Sequence, residues 1–415
     1  MLSIENPELC RKILNFPSGI HSIRLSGEHI PRIIIKLPIS YLLPAKVNQG
    51  FSIYIVPVNV SGNASIGLMC AFFDDADSPL VSWRLLAHDT ETLDLLHALT
   101  RSEALIHLFD DHNREFLGYR AKIDVPLMAK IRLEHIKFPD FTHESFHEAH
   151  EQAMRWFGLR NAEDDLEAIQ ICFMESLFQE DLVISDVRHE LYQFHGSKGY
   201  GFTSLERTEP GSYQELDIIL LLQRIFKPNQ IYHAPKRHYD KEEIADVVVI
   251  TDDVCLIIQA KDSPNTEKML KRTLQRKQLI SVKQLNEALN QIAGAVNYVD
   301  KTRPLRMIID DRELSIELGN RRIISLALVR ELFMDTYAEY SETLFNSFRQ
   351  TNYPCIALDY GELHEYTSFC IDENGFLDAY FQVFNAALKL KKFPRLRFGM
   401  NDVEAVWRSL EKIER

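Results

Sequence analysis

The sequence predicts an N-terminal β-rich α+β domain followed by an α/β domain built on a mixed central sheet flanked by helices. Three observations carry this expectation. Seven runs of β-branched and aromatic residues, separated by Gly, Pro, Asn or Asp, fill the first 135 residues. The hydrophobic period turns helical between Glu144 and about Tyr192. Beyond residue 205 the elements read helix, strands, helix, strand, helix, the order of a mixed sheet covered by helices.

In order, the expected N-terminal strands are "HSIRLSG", "PRIIIKLP", "FSIYIVPVNV", "SIGLMCAFF", "PLVSWRLLA", "ALIHLFDD" and "EFLGYRAKI". One helix is expected at "DTETLDLLHALTR", where Asp89 or Thr90 can cap the first turn. The boundaries read 1–135 for this domain, 136–204 for a helical linker region and 205–415 for the second domain. Within the linker, "HESFHEAHEQAMRWFGL" and "AEDDLEAIQICFMESLFQEDL" both read as amphipathic helices, and residues 195–211 as a Gly- and Ser-containing connector. A helix from Ser212 to Phe226 follows, then strands near 230–235 and an apolar hairpin at 245–261. A basic helical stretch from about 266 to 299 leads to the strand "RRIISLALVR", the helix "YAEYSETLFNSFRQ", the strand "PCIALDY" and C-terminal helices.

A chain of 415 residues is long enough for two or three cored domains, and 46% hydrophobic with 26% charged residues is ordinary for a soluble protein. No apolar run approaches the roughly 18 residues that span a bilayer. The N-terminus lacks the basic-then-apolar pattern of a secretory signal. Six scattered cysteines without a CxxC pair favour a reduced, cytoplasmic setting without a zinc cluster or disulfide framework. A net charge of −13 argues against nucleic-acid binding over the whole surface. Locally, however, Lys261, Lys268, Lys271, Arg272, Arg276, Lys277 and Lys283 face only Asp262 and Glu267.

That basic stretch follows the most informative segment, "ADVVVITDDVCLIIQAKDS", residues 245–263. With the turn at Asp252-Asp253, Thr251 faces Val254 and Asp246 falls opposite Gln259. Period-two alternation then sets Asp246, Gln259 and Lys261 on one face. Both faces are apolar mid-strand, so the pair should be central and the polar end partly buried. Burying such groups is costly unless they pair or hold a metal. Two arrangements satisfy this: an Asp246–Lys261 ion pair with Gln259 beside it, or a metal site.

The segment "EEIADVVVITDDVCLIIQAKD" resembles the core of the PD-(D/E)XK nuclease superfamily, most nearly its Mrr-like and nuclease-related-domain branches, where (E/Q)-x-K closes the second strand. The flanking helices of that family have counterparts in "PGSYQELDIILLLQRIF" and "SVKQLNEALNQIAGAVNYV". The resemblance covers about residues 210 to 300, extends less specifically to about 390, and leaves out the N-terminal half. It implies a restriction-endonuclease-like fold for 205–415 and Mg²⁺- or Mn²⁺-dependent hydrolysis of phosphodiester bonds in DNA. Restriction and phage defence are typical roles of the family.

Carried onto this chain, the resemblance makes Asp246 the principal metal carboxylate, with Gln259 in the place of the usual Glu. The Ala260 carbonyl is a further metal ligand, Glu215 the supporting helix acid and Lys261 the catalytic lysine. Glu215 also fits a capping box with Ser212, and Asp217 is an alternative acid. Gln284 or Gln291 could reach the site from the later helix. Lys268, Lys271, Arg272, Arg276, Lys277 and Lys283, with Lys236 and Arg237 of "KRHYD", would grip the phosphate backbone. The N-terminal domain could supply target recognition, partner binding or dimerisation into a homo-oligomer; no membrane partner is expected. Gln259 removes one negative charge, which keeps open a non-catalytic nucleic-acid or protein-binding module on a degenerate nuclease fold. A regulatory protein with a purely structural Asp246–Lys261 pair is the third reading. His143, His147 and His150 share one helix face at metal-like spacing, but interleaved glutamates favour a solvated face. "GSKGYG" does not fit a phosphate-binding loop and reads as a connector.

Overall fold

All seven N-terminal runs form strands in the computed structural model, which describes residues 1–75, 79–139, 143–396 and 398. They are β1 (Gly19–Ile23), β2 (Arg32–Lys36), β3 (Gly50–Val60), β4 (Asn63–Phe72), β5 (Leu80–Leu85), β6 (Glu103–Phe109) and β7 (Glu115–Asp124). With β8 (Ile169–Ser176) they make a mixed eight-stranded sheet of order β1-β2-β6-β7-β8-β3-β4-β5. Only β2 and β6 pair in parallel. The β3–β4 turn is set by Ser61 and Gly62, both at positive φ (51° and 84°), the geometry of a tight twisted hairpin.

Residues 50–56 of β3 are buried on both faces because each face meets a helix. Ile53 and Ile55 pack in one core with Leu95, Leu96 and Leu99 of the helix Thr90–Leu99. Tyr54 and Val56 pack in another with Ala149, Ala153 and Phe157, an i, i+4, i+8 stripe on the helix His143–Gly158. Asp89 caps the first of these helices by accepting from the Thr92 amide at 2.7 Å, as its place before the apolar period suggests.

The edge strands β1 and β5 are joined by a side chain. Arg84 on β5 donates through Nη1 to the Ile20 carbonyl of β1 at 2.6 Å and to Glu91 at 2.7 Å. His21 Nδ1 lies 2.9 Å from the same carboxylate. Burial opposes ionisation of Glu91, but the hydrogen bonds from His21 and Arg84 prevail and hold its carboxyl down at about 2.

β8 corrects the sequence reading. The stretch expected to be an amphipathic helix is a short helix, Ala162–Leu166, followed by this strand, inserted between β7 and β3. Its alternation of Ile169, Ile171 and Phe173, all buried, has period two, and the acidic flanks masked it. The first unit accordingly runs well past residue 135: it comprises Met1–Ile184 with Ser204–Glu206 and Asn265–Lys271. Residues 136–204 are divided between the units rather than forming a separate linker, because β8 joins the two halves of the sheet.

The second unit comprises Ser185–Thr203, Arg207–Pro264 and the chain from Arg272 onward. A short pair, β9 (Val183–Asp186) and β10 (Gly201–Ser204), precedes the helix Gly211–Leu222. Then come β11 (Ile231–His233), β12 (Lys236–Arg237), β13 (Val247–Ile250), β14 (Val254–Lys261), β15 (Leu305–Ile309), β16 (Arg312–Ile316), β17 (Arg322–Val329) and β18 (Cys355–Asp359). The main sheet runs β11-β13-β14-β17-β18: antiparallel from β11 to β14 and parallel from β14 to β18. The expected mixed sheet with flanking helices is therefore present. The register of the hairpin is also as expected, with Val247 opposite Ile258 and Ile250 opposite Cys255. The Thr251 amide closes the turn on the Val254 carbonyl at 3.0 Å.

Two features differ. β12, β15 and β16 form a separate three-stranded sheet that no strong alternation announced. The basic stretch is broken into a one-turn helix, Glu267–Leu270, and a long helix, Leu274–Lys301, whose Leu285, Leu289, Ile292 and Val296 are buried as the stripe predicts. Among the described residues, no helix is long and apolar enough to cross a membrane.

The Arg84–Glu91 junction yields a test. A depressed carboxylate stabilises the fold above its unfolded value of about 4.5, and that contribution is lost as pH falls toward 2. Glu91→Gln should lower stability at pH 7 by about 1.5–3 kcal/mol, the usual worth of a charged hydrogen bond. The gap should close as pH falls from 4.5 to 2; a gap independent of pH in thermal unfolding contradicts the assignment.

Candidate metal centre at the end of the β13–β14 hairpin

Asp246 immediately precedes β13, and its own main chain fixes it. Its carbonyl accepts from the Ala234 amide at 2.8 Å, which ties it to the end of β11. Its carboxylate reaches across the hairpin, where Oδ2 accepts from the Ala260 amide at 2.6 Å. Asp246 thus meets the neighbouring strand between Gln259 and Lys261, as the register requires. Asp246, Gln259 and Ala260 are 7%, 3% and 8% exposed, and Lys261 is half-buried.

The ion pair that would make this arrangement purely structural does not form. Among the described residues, Lys261 has no carboxylate within salt-bridge distance, and the Gln259 side chain makes no hydrogen bond. Asp246 has carboxylates for neighbours instead. Burial pushes its carboxyl up; the Ala260 amide resists, while contact with Glu243 and the nearby charge of Glu215 add to the rise, to about 7.

Glu215 does not cap its helix. The helix begins at Gly211 with Pro210 before it, and the Ser212 side chain makes no cap. The Glu215 carboxylate instead lies 2.8 Å from His233 Nε2 on β11. Asp217, the alternative acid, is locked elsewhere: buried, it accepts from Arg207 Nη1 at 2.8 Å. Arg207 also donates to Thr203 Oγ1 at 2.7 Å.

The chain leaving Lys261 is held in place. Arg330, directly after β17, donates to the Ser263 and Pro264 carbonyls at 3.1 and 3.2 Å. Gln284 donates to Ser263 Oγ at 2.9 Å, so it braces this turn. Burial raises the Asp262 carboxyl, against the pull of Arg330, its own Ser263 amide and Arg207. Gln291, on nearly the same helix face but about 10 Å further along the axis, is exposed.

The expected phosphate grip is less continuous than the sequence suggests. Lys268 and Lys271 lie in the first unit, and Arg272, Arg276, Lys277 and Lys283 in the second. Lys268 and Arg276 are exposed, as are Lys271, paired with Glu267, and Lys283, 3.5 Å from Glu287. Arg272 and Lys277 are half-buried. Lys236 is exposed on β12, and Arg237 pairs with Asp240 at 3.0 Å. Of the three helix histidines, the side chains of His143 and His147 lie outside the described residues.

Among the described residues, no three His, Cys, Asp or Glu side chains are placed to hold a metal together. The donors at the hairpin form a different set: the Asp246 carboxylate, the Gln259 amide oxygen and the Ala260 carbonyl, with Glu215 and Glu243 close by. All are hard oxygens, the set that Mg²⁺ or Mn²⁺ takes. A cation would relieve the crowding that lifts Asp246. Sequence reasoning missed His233 and Glu243. The second lies three residues before Asp246 in "EEIAD"; the first depends on a contact eighteen residues away in sequence, which no local pattern encodes.

A raised carboxyl stabilises the fold fully only below its unfolded value, and that contribution is lost as pH rises through about 7. Without metal, Asp246→Asn should therefore raise stability at pH 8 by roughly 1–3 kcal/mol and change little at pH 4. Thermal unfolding at both pH values checks this; a destabilised variant at pH 8 would mean that the Asp246 charge is satisfied by the fold alone.

No family model, curated protein or solved structure matches the chain.

Proposed function

We propose that the second unit is a Mg²⁺- or Mn²⁺-dependent nuclease of the PD-(D/E)XK type, with a restriction-endonuclease-like fold, and that it hydrolyses phosphodiester bonds in DNA. One observation carries the reading. Asp246 is buried against the Ala260 amide with carboxylates as neighbours, while Lys261, one residue on, is left without an acidic partner. A structural polar cluster would pair these opposite charges. A phosphodiesterase needs them apart, the acid for a cation and the lysine for the phosphate.

Asp246, Gln259 and the Ala260 carbonyl would hold the metal, with Glu215 supporting. When bound, the cation would polarise the scissile phosphate and lower the pKa of the attacking water. Lys261 then orients that water or meets charge developing on the phosphoryl oxygens. His233 fixes the direction of the Glu215 carboxylate through its 2.8 Å contact. Arg330 and Gln284 hold the turn after Lys261 and so limit its motion.

Gln259 favours a second reading, a module that binds nucleic acid or protein without cutting. An amide contributes an oxygen but no charge, so metal binding should be weaker than with a second carboxylate. The two readings separate with supercoiled plasmid in Mg²⁺, Mn²⁺ or EDTA. A nuclease nicks only with metal, and Lys261→Ala should lose at least 100-fold in rate. Binding that is equal with metal and EDTA, without nicking, supports the second reading instead.

The missing charge gives a further test. Gln259→Glu should lower the Mg²⁺ concentration for half-maximal cleavage several-fold, because it restores a carboxylate to the donor set. An unchanged metal dependence would place Gln259 outside the metal's reach.

A further inference from the structure

The hairpin Pro235–Ile244 leaves the main sheet beside Asp246. Its arms are joined where Ile244 N donates to the Pro235 carbonyl at 2.7 Å and Arg237 N to the Glu242 carbonyl at 2.7 Å, with Lys236 opposite Glu243. Its base is therefore Glu243, the residue in contact with Asp246. Near its tip stands Tyr239, 63% exposed although it is a large aromatic. The ring is supported rather than loose. His238 packs edge-on at 5.4 Å between centroids, Tyr298 lies tilted at 5.9 Å, and the Arg237 guanidinium sits 5.5 Å from the ring centre. Tyr298 is itself pinned, its hydroxyl 2.8 Å from His238 Nδ1 and donating to the Arg306 carbonyl.

Charge decides what such a tip could bind. Lys236, Arg237 and Lys241 are balanced by Asp240, Glu242 and Glu243, so residues 236–243 carry no net charge with His238 neutral. With two cations free of ion pairs among the described residues, the loop offers few phosphate contacts to a duplex, whose affinity scales with the number of phosphates neutralised. A rigid, exposed ring is instead the element that holds an unpaired base, whose π-face is available only outside a duplex. Lys236 and Lys241, both exposed and without an ion pair among the described residues, could steady the adjoining phosphates. Tyr239 is seven residues from Asp246, at most about 25 Å even for a fully extended chain, a span of a few nucleotides.

Resting on the nuclease reading above, the geometry points to Tyr239 as a stacking platform for an unpaired nucleobase, which makes single-stranded or locally opened nucleic acid the preferred substrate. The test is fluorescence anisotropy of the full chain in EDTA, with a labelled single-stranded oligonucleotide and a blunt duplex of the same sequence. Tyr239→Ala should weaken single-strand binding about 5- to 150-fold, the range for loss of one stacked base, with less than a twofold effect on the duplex. Tyr239→Trp and Tyr239→Phe should bind the single strand like the native protein. Unchanged single-strand binding by Tyr239→Ala, an equal loss on both ligands, or a Tyr239→Phe as weak as the alanine variant each overturns the stacking role. Plasmid cleavage by the native protein keeps the two claims apart: cleavage with no Tyr239 effect sinks the platform alone, whereas a native protein that neither binds nor cleaves sinks the nuclease reading.

Discussion

The hydrogen bond from the Ala260 amide to the Asp246 carboxylate is the constraint on which the site depends. It forms because the β13–β14 register places Asp246 beside that amide, and because both residues lie where the apolar strands end. A buried carboxylate normally collects a cation or several donors. Here one amide is the donor, and the other nearby acids raise the energy of the charged form. The fold thus holds an acid at a place where its charged form is disfavoured, which supports the proposed cation site.

The surroundings divide into groups that settle charge and groups that leave it open. Arg207 with Asp217 is a closed pair, buried on both sides and further tied to Thr203. Asp359, Glu362 and Arg395 close in the same way after β18, where Arg395 donates to Glu362 Oε1 at 2.6 Å and to Asp359 Oδ2 at 3.0 Å. The Asp246 end of the hairpin contrasts with both, since Lys261 stays out of reach of its natural partner. Arg330 donates to the Ser263 and Pro264 carbonyls, which shapes the turn, and its charge opposes the rise of the buried Asp262 carboxyl.

Much of this was legible in the sequence, for physical reasons. Strands with strict alternation or unbroken β-branched runs declared themselves, and the Asp252-Asp253 turn between two such runs set a register that placed Asp246 correctly. β8 was not legible because its alternation is short and sits among acidic residues that suit a helix. Glu215 looked like a helix cap since Ser212 precedes it at capping distance; only the position of His233 on β11 shows where the carboxylate goes. The break between Leu270 and Leu274 was hidden because its residues are as polar as the helices around it. Contacts between residues distant in sequence, Glu215 with His233 or Arg330 with the turn at Ser263, leave no periodic trace.

The central claim is that the Asp246 end of the hairpin binds a divalent cation. Anomalous diffraction from crystals soaked in Mn²⁺ tests it most directly. The account predicts a peak within bonding distance of the Asp246 carboxylate, the Gln259 amide oxygen and the Ala260 carbonyl, and its loss in Asp246→Asn. Manganese bound elsewhere in the second unit, with these three oxygens left uncoordinated, would contradict it.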